Sequence, residues 1–163
     1  MSSTPSTPSK PSEPSNDEHV LVVPAQFDQV RRVTQFVRRI ASAAGFADGV
    51  LDQIELAVDE ACSNIVQHAY VGQSDGDIRA VVHTPLPLGR KITISLLDSG
   101  QPFDPDAVPA HDPAAPLDDL KVGGLGLFLI RHLMEDVHFE FGLAGEYPTD
   151  RRRYNRLTMS KTR

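Results

Sequence analysis

The chain has 163 residues, a length typical of one domain, and a net charge of −6. The acidic balance argues against a nucleic-acid binder, and the single cysteine, Cys62, excludes an internal disulfide framework and a cysteine-rich zinc site. No apolar run approaches the roughly 20 residues of a membrane helix, and no secretory signal is visible. These features predict a soluble, cytoplasmic protein without direct contact with nucleic acid or membrane.

Residues 1–18 differ in composition from the rest of the chain. They contain six Ser, four Pro and two Thr, and no aliphatic residue follows Met1. Such a segment cannot bury enough apolar surface to offset the entropy of ordering. We expect a disordered tail over 1–18, either a solubilising extension or a segment regulated by phosphorylation, and a folded domain over 19–163.

The folded part begins with a short β-branched segment over 19–23 that Pro24 ends, which predicts a strand. Apolar residues then recur at helical spacing as far as Gly45, a residue typical of helix ends, so a first helix is expected over 25–44. A second helix is expected over 48–70. Arginines on the outer side of the first helix and at 151–153 indicate solvated surface or a docking surface for an acidic partner.

The later elements are two strands, a third helix and two closing strands, expected over 77–83, 90–97, 124–135, 137–142 and 154–161. Between them lies an irregular stretch over 98–122, with five prolines between positions 102 and 116. Structureless loops longer than about 12–15 residues are uncommon and often act as lids. The order of elements predicts an α+β sandwich in which a mixed, mostly antiparallel sheet carries the helices on one face.

The second predicted helix carries a polar column. Glu60, Asn64 and His68 follow one another at spacings of four residues and therefore share one side of the helix. This column lies along the margin of the apolar side, with His68 turned furthest into it, whereas Cys62 falls near the apolar stripe and is expected in the core. Polar groups at a core margin require partners, so the column indicates either an ordinary helix edge or a functional site.

The motif DSGQPFDP begins where a predicted strand ends. Asp98 can accept a hydrogen bond from an amine such as the exocyclic group of adenine. Gly100 permits a sharp turn or the close approach of a flat ring. The motif therefore indicates either a simple turn or a binding site.

A second glycine-rich motif, VGGLGLFLIRHLMEDV, precedes and opens the third predicted helix. Exposed backbone N–H groups and the helix dipole make such a helix start suitable for anions. No Lys-Ser or Lys-Thr follows, so the motif is not a P-loop, and the glycine spacing does not match that of a dinucleotide-binding turn.

In this order, ELAVDEACSNIVQHAY, LLDSGQPFDP and GGLGLFLIRHLMEDV resemble the motifs of the anti-sigma-factor serine/threonine-protein kinases, a branch of the GHKL, or Bergerat-fold, ATPases. The similarity spans about residues 20–161. It implies the Bergerat fold and phosphoryl transfer from ATP to a small anti-anti-sigma (STAS-like) protein. It also implies a sigma factor as second partner and a homodimer.

The resemblance implies roles for individual residues. Asn64 would ligate Mg²⁺ on the ATP phosphates, and Glu60 would be the general base for the incoming serine hydroxyl. Asp98 would bind the adenine amino group, with Gly100 beneath the ring. Five residues at the start of the third helix complete the ATP-binding set: Gly123, Gly124, Leu125, Gly126 and Leu127. The middle three would offer backbone N–H groups to the phosphates.

Three points stay open at this level. His68 either lines the nucleotide pocket or packs structurally. Many GHKL proteins place a Thr on the last strand near adenine, and here either Asn155 or Arg156 occupies that position, of which Asn155 could supply an equivalent hydrogen bond. The predicted lid carries little positive charge, with only Lys121 near the phosphate end. An ATP-binding partner-switching regulator with little or no kinase activity is therefore the alternative, and a sensor-histidine-kinase catalytic domain is less favoured.

Overall fold

The computed structural model describes residues 17–85, 90–107, 124–145 and 149–163. The expected tail up to residue 16, the lid residues 108–122 and Gly123 lie outside the described residues. The strands are β1 (Glu18–Pro24), β2 (Asp77–His83), β3 (Lys91–Asp98), β4 (Glu135–Ala144) and β5 (Arg153–Thr162). The helices are α1 (Phe27–Ala43), α2 (Asp48–Asn64), a π-helix (Ile65–Ala69) and α3 (Gly124–Leu133).

The five strands form one sheet in the order β1-β2-β3-β5-β4, and every neighbouring pair is antiparallel. Alternate residues of β3, namely Ile92, Ile94 and Leu96, are fully buried and belong to the same core as the apolar sides of the helices. On the opposite face of the sheet, Val20 and Val22 of β1 are exposed. The predicted sandwich, with helices on one face of the sheet, is confirmed, and the sheet, expected to be mixed and mostly antiparallel, is antiparallel in each of these pairs.

Helix α1 begins two residues later than predicted because Gln26 is still extended and the backbone N–H of Ala25 donates to the carbonyl of Gly76. The helix buries a stripe with helical spacing, which packs on α2 and the sheet: Val30, Val33, Val37 and Ile40. Arg38 is not simply solvated, since its guanidinium contacts Asp52 at 2.8 Å and Glu55 at 2.6 Å on α2. Cys62 lies in the core, as predicted.

The second helix differs from its prediction in a way that matters for the site. It is α-helical only to Asn64 and continues as a π-helix to Ala69. A π-helix closes its hydrogen bonds over five residues rather than four, so the residues after Asn64 turn away from their α-helical positions. The expectation that His68 turns into the buried side is therefore wrong: His68 is exposed, and Ala69 and Tyr70 are buried instead.

The remaining differences are shifts of element ends. Strand β1 begins at Glu18, one residue before the expected domain start, and the backbone N–H of Thr84 donates to the carbonyl of Asp17. Helix α3 ends at Leu133, and Asp136 at the start of β4 has a left-handed φ of 47°. None of the helices in the described part of the chain is long and apolar enough to cross a membrane.

Candidate functional site

A cavity of about 370 Å³ opens between the end of α2, the π-helix, α3 and the last three strands of the sheet. Much of its wall is apolar, formed by aliphatic and aromatic side chains that include Leu96, Leu127, Ile130, Phe103, Phe139 and Phe141. A few polar side chains join them: Asn64, His68, Asp98, Gln101, Asn155 and Arg156. A largely apolar pocket of this size with a few directed polar groups is typical of a small-molecule site.

Asp98 lies in the wall of this cavity, at the end of β3, and one of its oxygens is fully engaged. Its Oδ1 accepts hydrogen bonds from the backbone N–H of Gly100 and from Nδ2 of Asn155, both at 2.9 Å. Among the described residues, Oδ2 has no hydrogen-bond partner. Because no buried side-chain oxygen of these residues lacks a partner, Oδ2 is not buried. Burial raises the pKa of Asp98, while the bonds from Asn155 and Gly100 lower it in part. One carboxylate oxygen is thus held by the protein and the other is accessible.

The two candidates on the last strand, Asn155 and Arg156, differ in their contacts. Asn155 is buried and also donates to the carbonyl of Gly100 at 3.1 Å. Arg156 instead pairs with Glu140, with Nε 2.8 Å from Oε2. Asn155 is therefore the residue that supports Asp98.

Gly100 lies in the turn after β3, directly against the end of the π-helix. A Cβ at this position would collide with the carbonyl of Ala69 and would lie 2.7 Å from the Ala69 side chain. The adjacent backbone N–H of Gln101 donates to the same carbonyl at 2.7 Å. Gly100 lets the turn after β3 lie directly on the end of the π-helix, and it is not among the residues that line the cavity. Its placement beneath a bound ring stays a prediction.

Glu60 and Asn64 meet the start of α3. A Cβ at Gly126 would lie 2.6 Å from Oε2 of Glu60 and 3.6 Å from Nδ2 of Asn64, so glycine is needed for this contact. Burial raises the pKa of Glu60, and the neighbouring Asp59 raises it further. Asn64 lines the cavity, whereas Glu60, one helical turn before it on α2, is not among the lining residues. The predicted base and metal ligand are thus placed together beside the glycine-rich motif.

The five residues predicted at the start of α3 have different surroundings. Leu127 is 4% exposed and lines the cavity with its side chain, whereas Leu125 is 39% exposed. Gly124 begins the helix, where the first backbone N–H groups have no partner within the helix. Gly123 lies outside the described residues.

His68, whose role the sequence left open, lies in the cavity wall on the π-helix and is exposed. Lining, rather than packing, is the role that this position favours.

Sequence reasoning missed the aromatic part of the wall and one buried tyrosine. Phe103 and Phe139 meet edge to face with their ring centroids 5.6 Å apart, and Phe141 follows Phe139 on the same side of β4. The alternation of phenylalanines in β4 could have indicated that both rings lie on one face of the strand. Tyr70, at the end of the π-helix, is 7% exposed and is part of the HAY sequence that the motif already contained.

The comparison with known families agrees with this geometry. The model of the histidine kinase-like ATPase domain matches residues 23–161. The chain belongs to this family. It is 37% identical over 124 residues to the serine-protein kinase RsbW of Halalkalibacterium halodurans, with 74% of each chain covered.

Two further RsbW serine-protein kinases are similar. That of Listeria monocytogenes serovar 1/2a is 33% identical over 126 residues, covering 75% of this chain and 78% of the relative. That of Bacillus subtilis strain 168 is 30% identical over 122 residues, covering 72% of this chain and 74% of the relative. These relatives place the chain in the serine-protein kinase branch, and the resemblance found in the sequence is confirmed.

Proposed function

We propose that the chain is an ATP-dependent serine-protein kinase. It transfers the γ-phosphoryl group of ATP to a serine of a small STAS-like anti-anti-sigma protein and also binds a sigma factor. The observation that carries the proposal is the meeting of Glu60, Asn64 and the start of α3 beside a cavity whose other end holds Asp98. The serine-protein kinases among the relatives support the same reaction.

The apolar end of the cavity suits the adenine ring. Oδ2 of Asp98 is the acceptor for the exocyclic amino group, because Oδ1 is already occupied by Gly100 and Asn155. A purine with a carbonyl oxygen at that position would place one acceptor oxygen against another, with no hydrogen between them. The site therefore selects adenine by repulsion of such purines as well as by attraction of the amino group.

The polar end of the cavity suits a magnesium–nucleotide complex. The described residues contain no cluster of three or more His, Cys, Asp or Glu side chains that could hold a metal by themselves. Mg²⁺ in kinase sites is typically held by one or two protein oxygens together with phosphate oxygens and water, so the side-chain oxygen of Asn64 is a sufficient protein ligand. When bound, the ion offsets charge on the phosphates.

Glu60 has the chemistry of a general base. Among the described residues its carboxylate has no hydrogen-bond partner. Its raised pKa makes it a better proton acceptor than an ordinary glutamate. It accepts the proton of the serine hydroxyl as the serine oxygen bonds to the γ-phosphorus and the bond from that phosphorus to the β–γ bridging oxygen breaks. The products are phosphoserine and ADP.

Phosphoryl transfer from γ-labelled ATP tests this proposal. With Mg²⁺ and a purified STAS-like partner, the wild-type protein is expected to label the partner. Glu60→Gln is expected to lower the transfer rate by roughly 10²–10⁴-fold with ATP affinity unchanged.

The matched control is Glu55→Gln, the same substitution on the same helix in an ion pair with Arg38. It is expected to transfer label at the wild-type rate. Transfer by Glu60→Gln as fast as by wild type would exclude Glu60 as the base. Nucleotide binding by the wild-type protein without transfer to any such partner would exclude the kinase activity itself.

Two finer expectations rest on the resemblance alone: a homodimer and a sigma factor as second partner. The expected location in the cytoplasm rests on the composition of the sequence. Light scattering measures the first. Co-purification with candidate sigma factors, with and without ATP, measures the second.

A further inference from the structure

Tyr70 connects three segments of the chain beneath the candidate site. Its hydroxyl donates a hydrogen bond to the carbonyl of Asp77 at 2.8 Å and accepts one from the backbone N–H of Ser99, also at 2.8 Å. The ring covers Gly76, where any Cβ would overlap the ring carbons. One buried side chain thus ties the end of the π-helix to the start of β2 and to the turn after β3.

The turn after β3 is the segment that carries Asp98. Ser99 is the next residue, and the contacts of Ala69 with Gly100 and Gln101 hold the rest of the turn on the π-helix. From the other side, Asn155 of β5 donates to both Asp98 and Gly100. The backbone on the C-terminal side of Asp98 is therefore held by the end of the π-helix on one side and by β5 on the other, and Tyr70 supplies the side-chain contact from the π-helix end.

We propose that Tyr70 is a positioning residue for the nucleotide base, its hydroxyl fixing Ser99 so that Oδ2 of Asp98 faces the cavity at the distance that the adenine amino group requires. This inference rests on the proposed role of Asp98 in binding adenine. Burial raises the pKa of Tyr70, so the hydroxyl keeps the proton that it donates to Asp77. Without that hydroxyl the backbone N–H of Ser99 loses its hydrogen-bond partner. The turn after β3, and Asp98 with it, can then shift relative to the adenine ring.

Tyr70→Phe removes only the hydroxyl and leaves the ring on Gly76. The experiment measures the dissociation constants of ATP and of inosine triphosphate, which has a carbonyl oxygen in place of the amino group. Wild type is expected to prefer ATP. Tyr70→Phe is expected to bind ATP roughly tenfold more weakly, the scale of one lost hydrogen bond, and to lose most of the preference over inosine triphosphate.

The matched control is Tyr154→Phe. Like Tyr70, Tyr154 is not among the residues that line the cavity, but its hydroxyl is hydrogen-bonded to Oδ2 of Asp150 at 2.6 Å rather than to the turn after β3. This variant is expected to keep both affinities. A purely structural effect of losing a tyrosine hydroxyl would lower the melting temperature and leave the ratio of the two affinities unchanged, and that result for Tyr70→Phe would overturn the inference.

Asp98→Asn separates failure of this inference from failure of the proposed function. If Asp98→Asn loses the preference for ATP and a folded Tyr70→Phe keeps it, only the role of Tyr70 is wrong. If neither variant changes the preference, the proposed adenine site is wrong and the inference falls with it.

A measurement on the wild-type protein covers the case in which Tyr70→Phe does not fold. Hydrogen exchange at the backbone amide of Ser99 is expected to be as slow as that of amides within the sheet, although Ser99 follows the last residue of β3. Exchange as fast as that of an exposed loop amide would contradict the proposed hydrogen bond and overturn the inference.

Discussion

The two ends of the cavity are built differently. At the base end, Asp98, Gly100 and Asn155 are hydrogen-bonded to one another, and the turn after Asp98 is hydrogen-bonded to the π-helix. At the transfer end, Glu60 and Asn64 contact the start of α3 through a glycine, and the described residues offer the Glu60 carboxylate no hydrogen bond. Burial raises the pKa of both carboxyl groups, but donors offset the rise at Asp98 whereas Asp59 adds to it at Glu60.

This difference matches what each end has to do. A base-binding end gains affinity and selectivity when its acceptor is fixed before the ligand arrives. A transfer end must instead leave its polar groups available to the phosphates and to the incoming hydroxyl. The same substitution at the glycine of each end should therefore have different effects.

The largest effect on stability is expected for Gly100→Ala at the base end. The added Cβ meets the backbone carbonyl of Ala69, which cannot move without shifting the π-helix. We expect the free energy of unfolding to fall by about 2–3 kcal/mol, as for overpacking, with weaker ATP binding. Chemical denaturation measures the change. The control is Gly49→Ala in α2, where nothing lies within 4 Å of the added Cβ; an equal loss there would mean that the contact with Ala69 is not the cause.

Gly126→Ala at the transfer end is expected to affect the reaction more than stability. Its Cβ meets Oε2 of Glu60, the end of a flexible side chain that can swing aside. The unfolding free energy should stay within about 1 kcal/mol of wild type, since alanine also favours the helix. The displaced carboxylate should lower the transfer rate roughly tenfold, or more, by losing its alignment. A rate equal to that of wild type would show that the position of Glu60 against α3 is not needed.

The smallest effect is expected for Asp98→Asn on stability. Because the folded-state pKa of Asp98 is raised, its contribution to stability is fully present below the unfolded pKa and is lost as the pH rises through the folded pKa. Asn keeps an oxygen for Gly100 and Asn155 and carries no buried charge. At pH 7 the variant should be more stable than wild type by about 0.5–1 kcal/mol while binding ATP more weakly. Unfolding measured from pH 7 to pH 4 should show this gain shrinking, and a gain that grew with acid would contradict the sign.

Much of the fold could be predicted from the sequence alone. Apolar periodicity located α1, and alternation in residues such as Ile92, Ile94 and Leu96 located β3, because both patterns report which side of an element is buried. Asp98, Asn64 and Glu60 were singled out from short motifs whose spacing is local. The resemblance of those motifs to one kinase family was confirmed, whereas the chemical roles of the residues stay predictions.

Only the tertiary structure decided how the end of the second helix is wound and what it touches. The spacing of residues in the sequence could not show the π-helix. Its wider winding places other residues on the buried side than an α-helix would, and the carbonyl of Ala69 at its end accepts a hydrogen bond from a turn far along the chain. The pairing of Asn155 with Asp98 and the position of Tyr70 beneath Ser99 are likewise contacts between distant segments. Sequence periodicity determined which side of α1 and of β3 is buried, whereas long-range packing determined which residues after Asn64 are buried and which side chains hold the site in place.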